Sequence, residues 1–221
     1  MTDDAPTVVV TGATGTVGEQ VVARLPTDDA TVRAAVRDVD AARERFDDGV
    51  DPVAFDFTKP ETWGFAFDGA DRLFLVRPPG EASVGGDLLP AVDAAVRSGV
   101  EHVVFLSVAG AEAVPVLPHR RIERHLAASD ASYTFLRAAF FMQNLSEVHR
   151  RDVVERDEIF VPAGTGETSF VDARDVGAVA AAALVESGHE NRAYDVTGRD
   201  VLDYEAVAAV FSEVLGREIT Y

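Results

Sequence analysis

Residues 11–18 read Thr11-Gly12-Ala13-Thr14-Gly15-Thr16-Val17-Gly18, with three glycines spaced three apart. The run follows a β-branched stretch at residues 7–11 and opens a helical pattern at residues 17–25 that Pro26 stops. In a strand–turn–helix setting each glycine has its own use. Gly12 permits the tight turn that leaves the strand, Gly15 permits close approach of a pyrophosphate, and Gly18 lets the helix pack on the sheet. Amides at the helix start, together with the helix dipole, hold a diphosphate without a cation. Thr11, Thr14, Thr16 and Val17 complete the candidate set around these glycines. The chemistry this implies is dinucleotide binding.

A second determinant lies at the end of the next apolar run, where the chain reads Val36-Arg37-Asp38. An acidic residue there would accept from the ribose 2′-hydroxyl of NAD, whereas a guanidinium pairs with a 2′-phosphate. Arg37, 19 residues after Gly18, favours NADP(H), with NAD(H) also admitted. The competing readings are a surface Arg37 paired with Asp38 or Asp40, and Asp38 serving the ribose itself. Asp56 can accept from an adenine amino group with Phe57 packed nearby, or it can cap the following turn.

Other chemistries lack their residues. The chain has no cysteine, which removes thiolate catalysis, disulfides and Cys-ligated metal together. His102, His119, His125, His149 and His189 show no metal-ligand spacing. There is no Gly-x-Ser-x-Gly elbow, and the glycine turn lacks the Gly-Lys-Ser/Thr ending of a nucleotide triphosphatase. A Tyr-x-x-x-Lys pair is also absent. Lys59 is the sole lysine and no tyrosine precedes it by four; Tyr133 and Arg137 have the spacing but fall on an expected strand. Classical alcohol dehydrogenation is therefore disfavoured.

Positioning these groups requires alternating strands and helices. Apolar runs at residues 7–11, 31–36, 53–57, 72–76, 103–106 and 133–136 read as strands. Between them, Asp38 or Asp40 can cap a helix ending near Phe46. Thr58-Lys59-Pro60-Glu61 has capping-box spacing. Residues 84–97 and 120–128 read as further helices, the first capped by Gly99. The pattern predicts an α/β fold, a doubly wound Rossmann-type parallel sheet of order 3-2-1-4-5-6, over residues 1–150. Residues 151–221 read as a small C-terminal segment packed on the sheet edge, on the substrate side. It would hold short strands at 160–162, 169–171 and 194–196, an Ala-rich helix started by Asp172 or Asp175, and a last helix between Asp203 and Gly216.

Several stretches resemble the NmrA-like family of atypical short-chain dehydrogenases/reductases, which includes NAD(P)H:quinone oxidoreductases and redox-sensing regulators. They are the glycine turn, Ala35-Val36-Arg37-Asp38, Asp56-Phe57-Thr58 and Phe74-Leu75-Val76-Arg77-Pro78-Pro79. Further matches are residues 99–107, 133–137, Phe140-Phe141-Met142-Gln143-Asn144, 170–176 and 194–198. The resemblance implies that Val76, Arg77 and Pro78 border the nicotinamide half of the cofactor. It places Ser107 at the end of the fifth strand and His119 near the nicotinamide, with Glu123 one helical turn later. Residues 140–144 would line the substrate side. Chains of this family run on past the position of Tyr221, which implies a more open cleft here or one covered by another subunit.

Hydride transfer to a quinone-like or conjugated carbonyl acceptor needs only one donor, or water, for the developing oxyanion. His119 is the candidate donor, because an imidazole titrates near neutrality; Ser107 and Asn144 would assist. The bland readings are a solvent-exposed His119, a loop-capping Ser107 and a core cluster at 140–142. The expected function is an NAD(P)H-dependent oxidoreductase, the alternative a non-catalytic redox sensor that binds NAD(P)(H). The expected partner is a small-molecule substrate, with a homodimer or protein partner left open.

Acidic residues number 38 and basic residues 20, for a net charge of −18, and 19 of the basic residues are arginine. Such a chain repels phosphate backbones, which argues against nucleic acid. The most apolar run, residues 176–185, is half a membrane span, and the N-terminus reads as no signal peptide, so a cytoplasmic, non-membrane location is expected. Self-repulsion at this charge is relieved where the Debye length shrinks to ~3 Å, as in 1 M salt. The expectation is a salt-adapted protein. Its thermal midpoint should rise between low and molar KCl; a flat or falling midpoint excludes the idea.

Overall fold

The computed structural model describes residues 5–25, 30–80 and 82–221. Pro26, the expected stop of the first helix, lies outside them. Strand β1 (Thr7–Thr11) leads through the glycine turn into α1 (Gly18–Val22), β2 (Thr31–Val36), α2 (Val39–Arg45) and β3 (Val50–Ala54). Then come α3 (Trp63–Phe67), β4 (Arg72–Val76), α4 (Leu89–Arg97), β5 (His102–Val108), α5 (Pro118–Leu126) and β6 (Ser132–Ala138). The remainder holds β7 (Phe140–Phe141), α6 (Gln143–Ser146), α7 (Arg150–Arg156), β8 (Thr168–Val171) and α8 (Ala173–Val185). It ends with β9 (Arg192–Val196), β10 (Val201–Leu202) and α9 (Tyr204–Leu215).

The main sheet is parallel, in the order β3-β2-β1-β4-β5-β6-β9. Its first six strands follow the expected order, and β9 pairs with β6 as a seventh. A small sheet, β10-β8-β7, lies apart from it. Connections from β1 run one way and those from β4 the other, so a crevice opens beyond the carboxyl ends of these two neighbours.

Strand alternation splits the core into two layers. Val8 and Val10 pack with Val21, Val176 and Ala180 on the α1/α8 face. Val9 packs with Leu73, Trp63, Phe67 and Ile122 on the α3/α4/α5 face. Helices α1 and α8 meet closely: a Cβ on Gly177 would lie 2.5 Å from Cβ of Gln20. A third cluster, with Phe170, Tyr204, Val207 and Ile219, fills the space behind the small sheet. No helix among the described residues is long and apolar enough to cross a membrane.

Three local expectations are corrected. The third strand covers Val50–Ala54, because pairing with β2 ends at Val36↔Ala54; Asp56 and Phe57 therefore lie on the loop beyond it. The capping box at Thr58 does not form. Asp56 Oδ1 captures both the Thr58 amide (2.9 Å) and hydroxyl (2.8 Å), and Lys59 becomes the cap residue before Pro60. Residues 160–162 are not a strand. The tail of the chain holds this segment instead, with Tyr221 Oη donating to the Val161 carbonyl at 3.0 Å. Elsewhere the paired alternatives resolve to Asp38, which caps α2, and Asp172, which caps α8; Asp203 caps α9 as expected, and Gly216 closes it in the left-handed conformation. The expected helix at 84–97 opens with a π turn at Val84–Leu88.

His102, at the start of β5, is buried, with Nε2 2.9 Å from the Thr134 hydroxyl. Burial, and then the charge of Arg72, lower its pKa to about 4 from the ordinary 6.5. The unfolded chain thus binds more protons between these two values, and stability must fall as pH drops from about 6.5 to about 4. Urea titrations across this window should show the loss, and His102→Gln should remove the part that His102 contributes.

Candidate functional site

The glycine turn sits where β1 delivers the chain into the crevice. Gly12 adopts φ +62°, which its missing side chain permits. The Gly15 amide donates to the Gly12 carbonyl at 2.9 Å, and the Glu19 amide donates to the Gly15 carbonyl at 3.0 Å. Gly18 is the tightest of the turn's three glycines. A Cβ there would stand 2.1 Å from the Gly12 carbonyl oxygen and 2.6 Å from its carbon. Only hydrogen at that place lets α1 seat against the turn.

The neighbours of the glycines have different tasks. Thr11 is buried; its hydroxyl donates to the Phe74 carbonyl at 2.9 Å and accepts from the Val76 amide at 3.0 Å. It therefore pins the end of β4 to β1 and sets Val76 in the cleft wall. Thr14 is exposed and lines the cleft. Thr16 turns away, its hydroxyl donating to Glu147 Oε2 at 3.1 Å. Val17 is buried in the α1/α8 core layer.

One half of the cleft, about 570 Å³, is lined by Gly12, Gly15, Arg37, Asp56, Phe57 and Pro78, among others. Arg37 is exposed at the end of β2 and lines the cleft, whereas Asp38 and Asp40 do not. Asp38 accepts from the Ala41 amide at 3.0 Å, and Asp40 pairs with Arg43 at 3.0 Å. The Asp56 carboxyl is held below its usual range, first by the Thr58 amide, against burial, and then by the Thr58 hydroxyl and the charges of Lys59 and Arg37. Phe57 is nearly buried, edge-on to Phe55 with centroids 4.8 Å apart.

The other half, about 460 Å³, shares Val76 with the first. Arg77, Ser107, His119, Phe140, Phe141 and Asn144 all line it. His119 is half-buried and stacks on Phe105, centroids 6.1 Å apart, so it is not the solvent-exposed side chain of the bland reading. Burial, and then the charge of Arg77, lower its pKa against the opposing pull of Glu123. It is neutral at pH 7, which changes its expected part from titrating acid to neutral donor.

Ser107 is buried and already committed, its hydroxyl donating to Glu123 Oε1 at 2.7 Å. Glu123 is fully buried and also accepts from Arg137 Nε (3.0 Å) and Arg120 (2.9 Å). Burial raises its pKa, but the bonds from Arg137, Ser107 and Arg120 outweigh that and leave it lowered, hence ionised. Arg137 thus has a use that the Tyr133 spacing did not suggest. Gln143 was also overlooked as a clamp. Its amide donates to Asp172 Oδ1 at 2.8 Å and accepts from the Ala173 amide at 3.0 Å, which ties the segment carrying Phe141 and Asn144 to the start of α8. The only signal for it in the sequence lay in the two stretches of the resemblance that contain these residues.

A doubly wound parallel sheet with a glycine cradle at its switch point defines a dinucleotide-binding α/β protein. The NmrA-like family model matches residues 4–221, and the chain belongs to that family. It is 37% identical over 220 residues to the NAD(P)H azoreductase of Xenophilus azovorans, covering 97% of this chain and 76% of the relative. Quinone oxidoreductase 2 of Escherichia coli is 26% identical over 223 residues, covering 97% and 76%. Among solved structures, the Citrobacter sp. triphenylmethane reductase complexed with NADP(H) aligns with a TM-score of 0.82. It is 29% identical, over 98% of this chain and 78% of that one.

Gly18→Ala should force the turn and α1 apart. The expected cost is about 1–3 kcal/mol in urea melts, as for overpacking, with about a tenfold or greater loss of dinucleotide affinity in calorimetry. Unchanged values would mean the turn relaxes freely.

Proposed function

We propose that this chain is an NADP(H)-dependent reductase that delivers hydride to a quinone-like or other conjugated carbonyl acceptor. The observation that carries the reading is one cleft in two halves, joined at Val76. A glycine cradle and Arg37 lie on one side, and an apolar half with His119 and Asn144 lies on the other. The similarity to NAD(P)H- and NADP(H)-linked reductases supports it.

The residues present fit a dinucleotide, since a Cβ at Gly18 would collide with the cradle that a diphosphate needs. The turn at Gly12–Gly15 would hold the diphosphate and Arg37 the 2′-phosphate, with Asp56 and Phe57 beside the adenine. A nicotinamide dinucleotide held there supplies a hydride. The acceptor's rings would lie against Phe140 and Phe141. Neutral His119 offers one N–H to the developing oxyanion, and the Asn144 amide a second. Ser107, already bonded to Glu123, braces the floor and donates nothing to the acceptor. Water completes the protonation of the reduced product. No tyrosine–lysine pair is required, because a quinone is strongly oxidising.

The test is NADPH oxidation with a panel of quinones in molar KCl. His119→Ala should lower kcat by about 100-fold, the low end for removing one oxyanion donor. With the His119 pKa lowered below 6.5, its titration should put no inflection in the rate between pH 6.5 and 8. Arg37→Ala should weaken NADP(H) about tenfold and leave NAD(H) unchanged. Tight cofactor binding without turnover of any acceptor would instead support a redox sensor.

A further inference from the structure

We propose that the acceptor half of the cleft is built for a planar molecule bearing a negatively charged group, and that Arg77 is the residue that holds this group. The inference rests on the reductase reading and narrows its substrate class.

Arg77 follows the last residue of β4 and lines the acceptor half, not the dinucleotide half. Its Nε is buried without a hydrogen-bond partner, the one such side-chain atom among the described residues. A guanidinium N–H taken out of water and left unpaired is costly, and such orphans mark a place where a partner is missing. None of the ion pairs among the described residues involves Arg77.

The surroundings sharpen the point. The chain carries 38 acidic residues, yet among the described residues no Asp or Glu lines this half of the cleft. The nearest buried carboxylate, Glu123, lies behind Ser107 and is balanced by Arg120 and Arg137, so its charge is spent on them. His119 is kept neutral beside Arg77 and neither cancels nor doubles its charge. Among the described residues that line this half, Arg77 is thus the one with a formal charge, in a cavity walled by Leu106, Val108, Phe140 and Phe141. In a molecule of net charge −18, that inversion of sign selects an anion that also has an apolar ring. In the reductase reading the dinucleotide's own phosphates would be served elsewhere, at the glycine turn and Arg37, which line the other half.

The experiment compares a naphthoquinone sulfonate with unsubstituted naphthoquinone, at one KCl concentration, by equilibrium binding to the NADP⁺-loaded protein and by turnover with NADPH. Wild type should bind the sulfonate more tightly. Arg77→Gln should weaken the sulfonate through KM by about tenfold or more beyond any change for the parent quinone. Arg77→Lys should restore part of the preference. Equal losses for both quinones, a matching loss of NADP⁺ affinity, or no loss would overturn the assignment. Should Arg77→Gln fail to fold, the wild-type preference and Arg77→Lys still decide it. Binding preference for the sulfonate without turnover of either quinone would sink the reductase reading and leave the anion site standing. Turnover of both without preference would do the reverse.

Discussion

Helix α1 seats against β1 through a contact that admits no side chain at residue 18, where the Gly12 carbonyl fills the space a Cβ would need. That contact fixes the curvature of the glycine turn and hence where its amides point. It also brings α1 onto the sheet layer shared with α8, where Gly177 permits a second close approach at Gln20. Thr11 carries the same constraint sideways. Its hydroxyl ties β1 to β4 at Phe74 and Val76, the residue at which the two halves of the cleft meet. The turn, the switch point and the cleft wall are thus one mechanical unit.

Charge is arranged with the same economy. Glu123 is a fully buried carboxylate, tolerable only because Arg137, Arg120 and Ser107 all bond to it. This cluster supports the floor of the acceptor half and uses up the hydroxyl of Ser107. It keeps a free carboxylate away from a region where negative charge would develop on a reduced acceptor. Among the described residues lining this half, Arg77 is left as the formal charge, and His119, which lines it too, stays neutral at pH 7.

Much of this was readable in one dimension. The glycine spacing after a β-branched run marked the turn, and the alternation of strand and helix gave the order of six strands. Asp38, Asp172 and Asp203 stood where helix caps stand. The misreadings share a cause. Thr58-Lys59-Pro60-Glu61 had the spacing of a capping box, but Asp56 competed for the same donors at shorter range. Residues 160–162 looked like a strand, yet they join neither sheet and the tail residue Tyr221 binds them instead. His119 read as a neutral-pH titrating group because its burial against Phe105 and its closeness to Arg77 are not sequence properties.

By itself, then, the amino-acid sequence determined what depends on near neighbours: the backbone freedom of Gly12, the caps, the strand periodicity, the absence of a tyrosine–lysine pair. Long-range meetings were decided only by the tertiary structure. Ser107 finds Glu123 sixteen residues on, Gln143 finds Asp172 twenty-nine residues on, and Thr11 finds Val76 sixty-five residues on. The physical reason is that burial and electrostatic partners are set by which strands pair and which helices cover them. A shifted pKa or an orphaned guanidinium nitrogen therefore arises only once the sheet has closed around it.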